Sequence, residues 1–599
     1  MYSPNARSVE FNDFLGGLNV TKPPTDINDN QTPDAQNWMN NELIGINSRY
    51  GYTRYYSTAI STANINSMFV YNTYSSSDFL IANGTALKLD LVSAATAIYS
   101  GLVSGNVRSF EMIGNIYLLD GSGYIQYNGA TAETVSGYIP TYFTNKNPDG
   151  TSGSKLDELN YIQSGFRETF NGNGSATSFY MSYGSLTTAT PVVLVDTVTQ
   201  TLSAATSGFT VNYASGIISL TTAATSDTGN VDITAYKPVL ESTSITNCTF
   251  CETYGEGNDT FAFLSGNSSF PARIFWSDTL DPTYYPATSY ADVGVQNDKM
   301  MGFLQHGGVL QLWKNRSVHS FNGTPPNNSI TEIYVNNEGC VATDTLKVID
   351  GYPTCLSQRG VIQLVREQDW YKFRLISEDI NGRTGIRSGL LDESSKSSAF
   401  SHDFDNKYWL HVNDTWYIYQ YDLTHQNNNK IVYPWLKWSL AHDAKCIASK
   451  DNYLYFGGTG NFYKFDPEVT NDDGTAIDSY YYSKKMEIDK SHDWIKWFLH
   501  MYFSFRTRLG TNFNVSLTVY IDDASIALNN SEVSVSYFNP NAFNPNQFNP
   551  NPVDQYVEIR IPLHKKGKTF QYKITCDELN KLFTLLSTKI DYMMDRKVR

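Results

Sequence analysis

The sequence predicts an all-β protein built around a β-propeller, with a small β-sandwich inserted into the propeller and a C-terminal β-sandwich-like domain. Its composition favours strands and turns, because Gly (41), Tyr (42) and Phe (32) are abundant and only 17% of the 599 residues are charged. A unit of two short strands joined by a Gly, Asn or Asp turn recurs along the chain. The turns are separated by roughly the length of one propeller blade.

The recurring unit has the sequence of a β-hairpin. Its strands show period-two alternation, and its turn carries residues that tolerate a positive φ. Most successive turns lie roughly 37 to 55 residues apart, which corresponds to one four-stranded blade per repeat, so we expect about six to eight blades. The clearest copies are residues 79–89, 115–127, 308–321, 408–421 and 452–465.

One interval between turns is too long for a single blade. The turns near residues 121 and 268 are separated by a Gly-, Asn- and Ser-rich stretch and several short Thr/Val strands. Removing about 100 residues from this interval restores the blade spacing. We therefore predict a propeller formed by residues 55–142 and 244–478, with residues 143–243 as an inserted β-sandwich.

Two further segments flank the predicted propeller. Residues 1–54 contain Gly16-Gly17, Pro23-Pro24 and Pro33, which disfavour a helix. We therefore predict an extended N-terminal arm that attaches the subunit to its neighbours or seals a ring; the alternative is a strand that only closes the propeller. After residue 478 the repeat stops, and strand-like stretches indicate a second sandwich over residues 479–599.

The C-terminal domain contains a five-residue repeat. Phe538, Phe543 and Phe548 each begin a Phe-Asn-Pro-Asn copy, and the recurring Pro predicts an extended, turn-rich loop over residues 538–552. A spacing of five matches neither a strand face nor a helix face, so no single local core can bury all three rings. Exposed rings usually mark a contact surface. We predict that they form a channel gate, contact a neighbouring subunit, or sit at a tip that touches the cell surface.

Sequence patterns for catalysis and metal binding are not found. The chain has no G-x-S-x-G, H-E-x-x-H or phosphate-loop motif, so we predict no catalytic residues, no cofactor and no enzymatic activity. Cys248-x-x-Cys251 lacks a second ligand pair at zinc spacing, so no metal site is predicted. Asp472-Asp473-Gly474 lacks the twelve-residue calcium loop and is interpreted as a solvated turn.

The net charge and the cysteines limit the classes of protein to which this chain can belong. A net charge of −15 argues against a protein that grips DNA phosphates, which needs a basic face, but it suits a pore wall along which DNA slides. The first residues show no signal-peptide pattern, so we expect the six cysteines to be reduced, buried thiols. No apolar run approaches the roughly 18 residues of a membrane span.

The N-terminal segment carries three motifs in order: Phe14-Leu-Gly-Gly-Leu-Asn19, Pro33-Asp-Ala-Gln-Asn37 and Ser48-Arg-Tyr-Gly-Tyr52. Stretches at residues 338–342, 356–362, 455–464, 568–572 and 595–599 continue the pattern. In order and spacing, these motifs resemble the tail nozzle and packaged-DNA stabilisation proteins of short-tailed bacteriophages. The resemblance covers the chain from about residue 14 to its last residue, apart from the insert.

The resemblance implies a ring, typically of six subunits, attached below the portal and adaptor of the virion. Such a homohexamer would be assembled in the host cytoplasm, extend the DNA channel, retain packaged DNA and let it pass at infection. The implied partners are other copies of this chain, the portal and adaptor proteins, and DNA that crosses the lumen without sequence-specific binding. The predicted attachment residues of the arm are Gly16, Gly17, Leu18, Asn19, Asp34, Asn37 and Arg49.

Two alternative functions stay open at the level of sequence. A polysaccharide-degrading propeller needs two carboxylates that face each other across a pocket, so acids and Arg clustered at the central funnel would support it. A tail-tip receptor-binding module would contact the host cell envelope through exposed aromatic side chains, usually as a trimer. The symmetry of the assembly on the particle separates these alternatives from a six-fold ring.

Overall fold

The computed structural model describes residues 6–40, 45–72, 77–91, 94–103, 105–203, 208–238, 242–335, 337–368, 370–383, 387–427, 430–488, 494–508, 513–533, 554–581 and 583–597. Almost all regular structure in these residues is antiparallel β-sheet. The short helix Ser242–Thr246 leads into the third blade of a propeller. Single 3-10 turns occur at Gly257–Asp259, Thr343–Thr345, Glu378–Ile380, Leu390–Asp392, Lys396–Ser398 and Tyr421–Leu423.

Seven four-stranded antiparallel sheets form the blades of a β-propeller in the described part of the chain. We number them 1 to 7 along the chain and give the strands of each from the innermost outward. Blades 1 to 3 consist of Ile65–Asn72, Ser77–Asn83, Ala86–Leu91 and Ala94–Ser100; Arg108–Met112, Asn115–Leu119, Tyr124–Tyr127 and Ala132–Thr134; and Phe250–Tyr254, Phe261–Ser265, Arg273–Trp276 and Tyr290–Asp292. Blades 4 and 5 consist of Met300–His306, Val309–Lys314, Ser317–Asn322 and Ser329–Val335; and Lys347–Ile349, Tyr352–Ser357, Gly360–Glu367 and Trp370–Leu375. Blades 6 and 7 consist of Phe400–Phe404, Lys407–Val412, Thr415–Gln420 and Trp435–Trp438; and Cys446–Lys450, Tyr453–Gly457, Phe462–Phe465 and Tyr52–Arg54.

The blades close into a ring. The innermost strands of blades 2 to 7 contact one another in order, and the innermost strand of blade 7 contacts that of blade 1. Between blades 1 and 2, the Val107 amide donates to Ser67 Oγ at 3.0 Å. The outermost strand of blade 7 comes from the start of the chain, with Tyr52 opposite Phe465 and Arg54 opposite Tyr463. Backbone hydrogen bonds between distant parts of the chain therefore close the propeller.

Blade strands are buried on both faces because each blade is packed between two others. In the second strand of blade 1, Leu80 and Ala82 pack in a core shared with blade 2, whereas Phe79 and Ile81 pack in a core shared with blade 7. Period-two alternation thus assigns neighbouring residues to different interblade cores, and the strand reads as a continuous apolar run. Gly84 makes the following turn at φ +59°.

The insert between blades 2 and 3 is a β-sandwich. A six-stranded sheet packs on a three-stranded sheet around one core that includes Phe166, Phe170, Phe179 and Ile218. Within that core region, Lys146 and Glu168 form a buried ion pair at 2.9 Å. The strands are Thr141–Lys146, Ser154–Lys155, Gly165–Gly172, Asp227–Tyr236, Val192–Val195 and Val198–Thr199 in the first sheet, and Ser178–Tyr180, Phe209–Asn212 and Ile217–Leu220 in the second.

The C-terminal domain is a sandwich of two larger sheets with one common core. The first sheet contains Trp38–Asn40, Ile46–Ser48, Phe583–Lys597, Trp494–Arg508 and Asp554–Gly567, with Arg7–Phe11 paired to Phe583–Lys597. The second contains Ala35–Gln36, Ser479–Tyr482, Phe570–Cys576, Phe513–Ile521 and Ala524–Val533. Two small ribbons pair Gly17–Leu18 with Gln31–Thr32 and His425–Asn427 with Lys430–Val432.

Residues 6–40 and 45–54 do not form the separate arm that the sequence predicts. They are extended, as Gly and Pro require, but they pair with strands of their own chain and supply Phe14, Trp38 and Ile46 to the core of the C-terminal sandwich. The sandwich is therefore a composite of both ends of the chain rather than of residues 479–599 alone. Burial of these apolar side chains explains the difference, because an arm free in water would leave them exposed.

Replacing Trp38 tests this composite sandwich. Trp38 is 3% exposed and its ring lies 5.9 Å from that of Tyr481. Trp38→Ala should cost about 3–5 kcal/mol of stability and clearly lower the melting temperature in scanning calorimetry. Trp370→Ala is the matched control, because Trp370 is 78% exposed and its loss should change stability by less than about 0.5 kcal/mol. Equal melting temperatures for the two variants would contradict the composite core.

Candidate functional site

The motif residues Gly16 to Asn19 lie against blade 6. A side chain at Gly17, which has φ +69°, would come within 2.7 Å of the Trp435 backbone nitrogen, so only glycine fits there. Leu18 is buried in the core that also contains Trp435. Asn19 is fully buried, and its amide donates to Gln31 Oε1 at 3.0 Å. This motif therefore docks the start of the chain on the outer part of the propeller.

The second motif connects the propeller to the sandwich through Asn37. Its backbone N–H donates to the Lys437 carbonyl at 2.9 Å, and its side-chain amide donates to the Asp478 carbonyl at 2.6 Å. Asn37 Oδ1 accepts from the Ser439 N–H at 2.9 Å and from Arg49 Nε at 2.9 Å. Asn37 has φ +62°, a conformation that asparagine tolerates better than most residues.

Arg49 is the centre of this junction. Its side chain has no exposed surface, and its Nη1 and Nη2 donate to Asp472 Oδ1 and Oδ2 at 2.7 and 2.6 Å. The remaining N–H groups donate to Asn37 Oδ1 and to the carbonyls of Tyr50 and Ser439. All five guanidinium donors therefore have acceptors, which is the arrangement that makes a buried ion pair tolerable.

Asp34 holds the sandwich side of the same junction. Its carbonyl accepts from the Tyr482 N–H at 3.0 Å, and its carboxylate accepts from the Tyr480 hydroxyl at 3.2 Å. Burial, together with the nearby Asp34 charge, raises the pKa of Tyr480, so this hydroxyl stays a donor.

The seven predicted attachment residues therefore come together, but inside this chain. Six of them are buried and Asp34 is half-buried, so the structure assigns them to an intramolecular junction rather than to an accessible docking surface. Their partner Asp472 is 2% exposed, so the interpretation of this residue as part of a solvated turn is wrong. No local signal identifies Asp472, which lies 423 residues from Arg49.

A cavity of about 510 Å³ lies on the propeller axis. Residues at or beside the innermost strands of all seven blades line it. Among them, Arg108 of blade 2 and Asp344, just before blade 5, form a two-point ion pair with distances of 2.8 and 2.9 Å. Asn106 also donates to Asp344 Oδ2 at 3.1 Å, and Arg108 Nη1 donates to the Thr249 carbonyl at 2.8 Å. This pair joins blades from opposite parts of the ring.

Burial shifts the pKa of Glu252, Lys347 and His402, which line the same cavity. Burial raises the pKa of Glu252 to about 6, and lowers the pKa of Lys347, whose charged form is favoured in turn by Asp344 and Glu252. Burial, helped by the Lys347 charge, lowers the pKa of His402 to about 4, so its ring is neutral at pH 7. His402 Nε2 lies 2.8 Å from Ser449 Oγ.

The cavity thus contains the acids and Arg that the polysaccharide-degrading alternative requires at the funnel. Glycoside hydrolysis usually needs two available carboxylates. Both Asp344 oxygens are already engaged by Arg108 and Asn106, whereas Glu252 accepts only the Thr253 N–H through one oxygen. Of the two lining carboxylates in the described residues, only Glu252 has an oxygen available to a ligand.

The structure also bears on the cysteines, on possible metal ligands and on membrane spans. All six cysteines are unpaired, and five of them are buried. Within the described ranges, no group of three His, Cys, Asp or Glu side chains is arranged to hold a metal ion, and no helix is long and apolar enough to cross a membrane. The repeat residues Phe538, Phe543 and Phe548 lie outside the described residues, so the gate, subunit-contact and tip interpretations stay predictions.

Comparison with known proteins gives distant structural likeness. No protein-family model matches the sequence, and no curated protein matches it. Among solved structures, BamB from Moraxella catarrhalis is 11% identical, with a TM-score of 0.32 over 68% of this chain and 97% of BamB. The computationally designed Ika8 protein is 9% identical, with a TM-score of 0.29 over 69% of this chain and 99% of its own. An exo-beta-1,3-galactanase from Phanerochaete chrysosporium is 8% identical, with a TM-score of 0.20 over 57% of this chain and 95% of the enzyme.

The Arg49 junction can be tested with a neighbouring ion pair as control. Arg49→Ala leaves Asp472 charged and buried, which should cost about 3–5 kcal/mol and lower the melting temperature. Arg54 pairs with Asp473 at 2.8 Å, but its side chain is 37% exposed, so Arg54→Ala should cost no more than about 1 kcal/mol. If both variants melt together, the buried pair does not hold the junction.

Proposed function

We propose that this chain is a structural protein of a bacteriophage tail, one subunit of a nozzle ring that extends the portal channel and retains packaged DNA. The observation that carries the proposal is where the family-like motifs meet. Residues 14–19 lie against blade 6 and reach the sandwich core through Phe14, residues 33–37 pair with the sandwich strand Ser479–Tyr482, and Tyr52 pairs with blade 7. Three N-terminal segments that resemble one family pattern are thus the segments that connect the propeller to the sandwich, which supports the proposal.

In the proposed ring, this connection would carry mechanical load between the propeller and the sandwich. A ring subunit that holds back packaged DNA must pass force from one domain to the next without hinging between them. The Arg49–Asp472 pair and the strand Tyr52–Arg54 bind the start of the chain to the closing blade, while Trp38 and Ile46 bind it to the sandwich core. A rigid connection of propeller to sandwich is what such a ring needs.

The proposed DNA path runs between subunits rather than through a propeller. The axial cavity of about 510 Å³ has the size of a small-molecule site, and the Arg108–Asp344 pair crosses it. A lumen enclosed by several copies of an acidic chain, with net charge −15, would repel DNA phosphates and favour sliding. The proposed partners are further copies of the chain, the portal and adaptor, and DNA without sequence-specific contacts.

The symmetry of the assembly on the virion tests the proposal. Electron cryo-microscopy of particles that contain this protein should show six copies in a ring around the tail axis, below the portal and adaptor, with a continuous lumen. Three copies at the distal tip would contradict the nozzle proposal and favour the receptor-binding alternative. Purified particles that lack the protein but still retain their DNA would also contradict it.

A further inference from the structure

The edge strand of the first sandwich sheet is irregularly paired near His500. In the described part of the chain, this strand, Asp554–Gly567, pairs only with Trp494–Arg508. The register of the pair shifts just before His500, and His564 on the edge strand has φ +45°, which is uncommon for residues other than glycine. Pro562 lies opposite His500 and has no backbone N–H to donate. Side-chain contacts must therefore contribute to the pairing at this point.

One side-chain hydrogen bond joins the two strands at this irregularity. Nη2 of Arg560, on the edge strand, lies 2.5 Å from Nε2 of His500. A guanidinium has no acceptor, so Arg560 must donate and His500 Nε2 must carry no proton. The single ring proton of His500 is therefore on Nδ1. The hydrogen bond exists only while this imidazole is neutral.

A buried acid lies beside His500 on the other neighbouring strand. Asp591, which is opposite His500 on Phe583–Lys597, is 1% exposed. Its Oδ1 accepts from Ser8 Oγ at 2.5 Å, whereas its Oδ2 and the Nδ1 of His500 are buried and make no hydrogen bond with a described residue. A positively charged imidazole would be attracted to this carboxylate and repelled by Arg560.

The other charged groups around this part of the sheet are more exposed or paired with each other. They are His564, Lys566, Glu558, Lys589, Asp595 and Glu10. Lys566 and Asp595 form an ion pair at 3.0 Å, and exposed Glu10 lies opposite Lys589. Because solvent screens exposed charges, the direct contact with Arg560 has the larger effect on the imidazole.

The environment of His500 favours its neutral form. Burial lowers the pKa of His500, and the charges of Arg560 and of His564, whose ring lies 5.4 Å away, lower it further. The Asp591 charge acts in the opposite direction. The unfolded chain, in which histidine has its ordinary pKa of about 6.5, therefore binds a proton more readily than the folded sheet. The stability that neutral His500 contributes is present above that pH and is lost as the pH falls below it.

We propose that protonation of His500 releases Arg560 and loosens the edge strand Asp554–Gly567, so that mild acid opens this edge of the C-terminal sandwich. All the groups involved belong to one chain. The response therefore requires neither the ring nor DNA, and it goes beyond the proposed nozzle function.

Hydrogen exchange of the full-length protein, at about pH 7.5 and about pH 5.5, brackets the ordinary histidine pKa and tests the response. After correction for intrinsic rates, protection of Asp554–Gly567 should fall about tenfold or more at the lower pH, because a hydrogen bond to a charged group is lost. Protection of Phe570–Cys576, in the other sheet, should change much less. His500→Gln should abolish the fall, because the Gln carbonyl accepts from Arg560 at both pH values. His425→Gln, in the small ribbon of blade 6, is the matched control and should behave like the natural protein.

Equal protection of the edge strand at both pH values in the natural protein would overturn the proposal, as would an undiminished fall in the His500→Gln variant. If that variant does not fold, Arg560→Met decides, because Arg560 is exposed and its replacement removes both the hydrogen bond and the repulsion. The edge strand of Arg560→Met should be equally protected at both pH values, and a fall as large as in the natural protein would contradict the proposal. None of these outcomes depends on ring assembly, so the nozzle proposal is tested separately.

Discussion

The architecture depends on one buried interaction, the pairing of Arg49 with Asp472. Removing two charges from water is expensive, and the cost is offset only when the remaining donors and acceptors are satisfied. Here the guanidinium also reaches Asn37 and two backbone carbonyls, so the strands around Asn37 and Arg49 are fixed to the segment that follows blade 7. The N-terminal segment also supplies the closing strand of the propeller, Tyr52–Arg54, and part of the sandwich core. Loss of this single contact would therefore loosen both domains.

A second interaction between distant parts of the chain lies at the axial cavity. In a seven-bladed ring, neighbouring blades are held by apolar cores, but opposite blades touch only through what lies on the axis. The Arg108–Asp344 pair spans this gap at the wall of the cavity of about 510 Å³. In the proposed nozzle, DNA would therefore pass through the lumen of the ring rather than along the axis of a propeller.

The sequence predicts the fold correctly where the signal is local. Hairpin periodicity predicts the blades because each turn and its two strands are adjacent in the chain, and a single overlong interval predicts the insert. It could not predict that both ends of the chain share one sandwich, because strands such as Arg7–Phe11 and Phe583–Lys597 pair across almost the full length of the chain. Asp472 and the cavity residues were missed for the same reason, since each gains its role from partners in distant blades.

Hydrogen exchange of backbone amides tests most directly whether the start of the chain is an integral part of the fold. The Asn37 N–H is bound to the Lys437 carbonyl and the Arg49 N–H to the Asn37 carbonyl. These amides should exchange as slowly as those of the sandwich strand Phe570–Cys576. Exchange of both within seconds, while that strand and the blades stay protected, would show a detached arm and contradict the account.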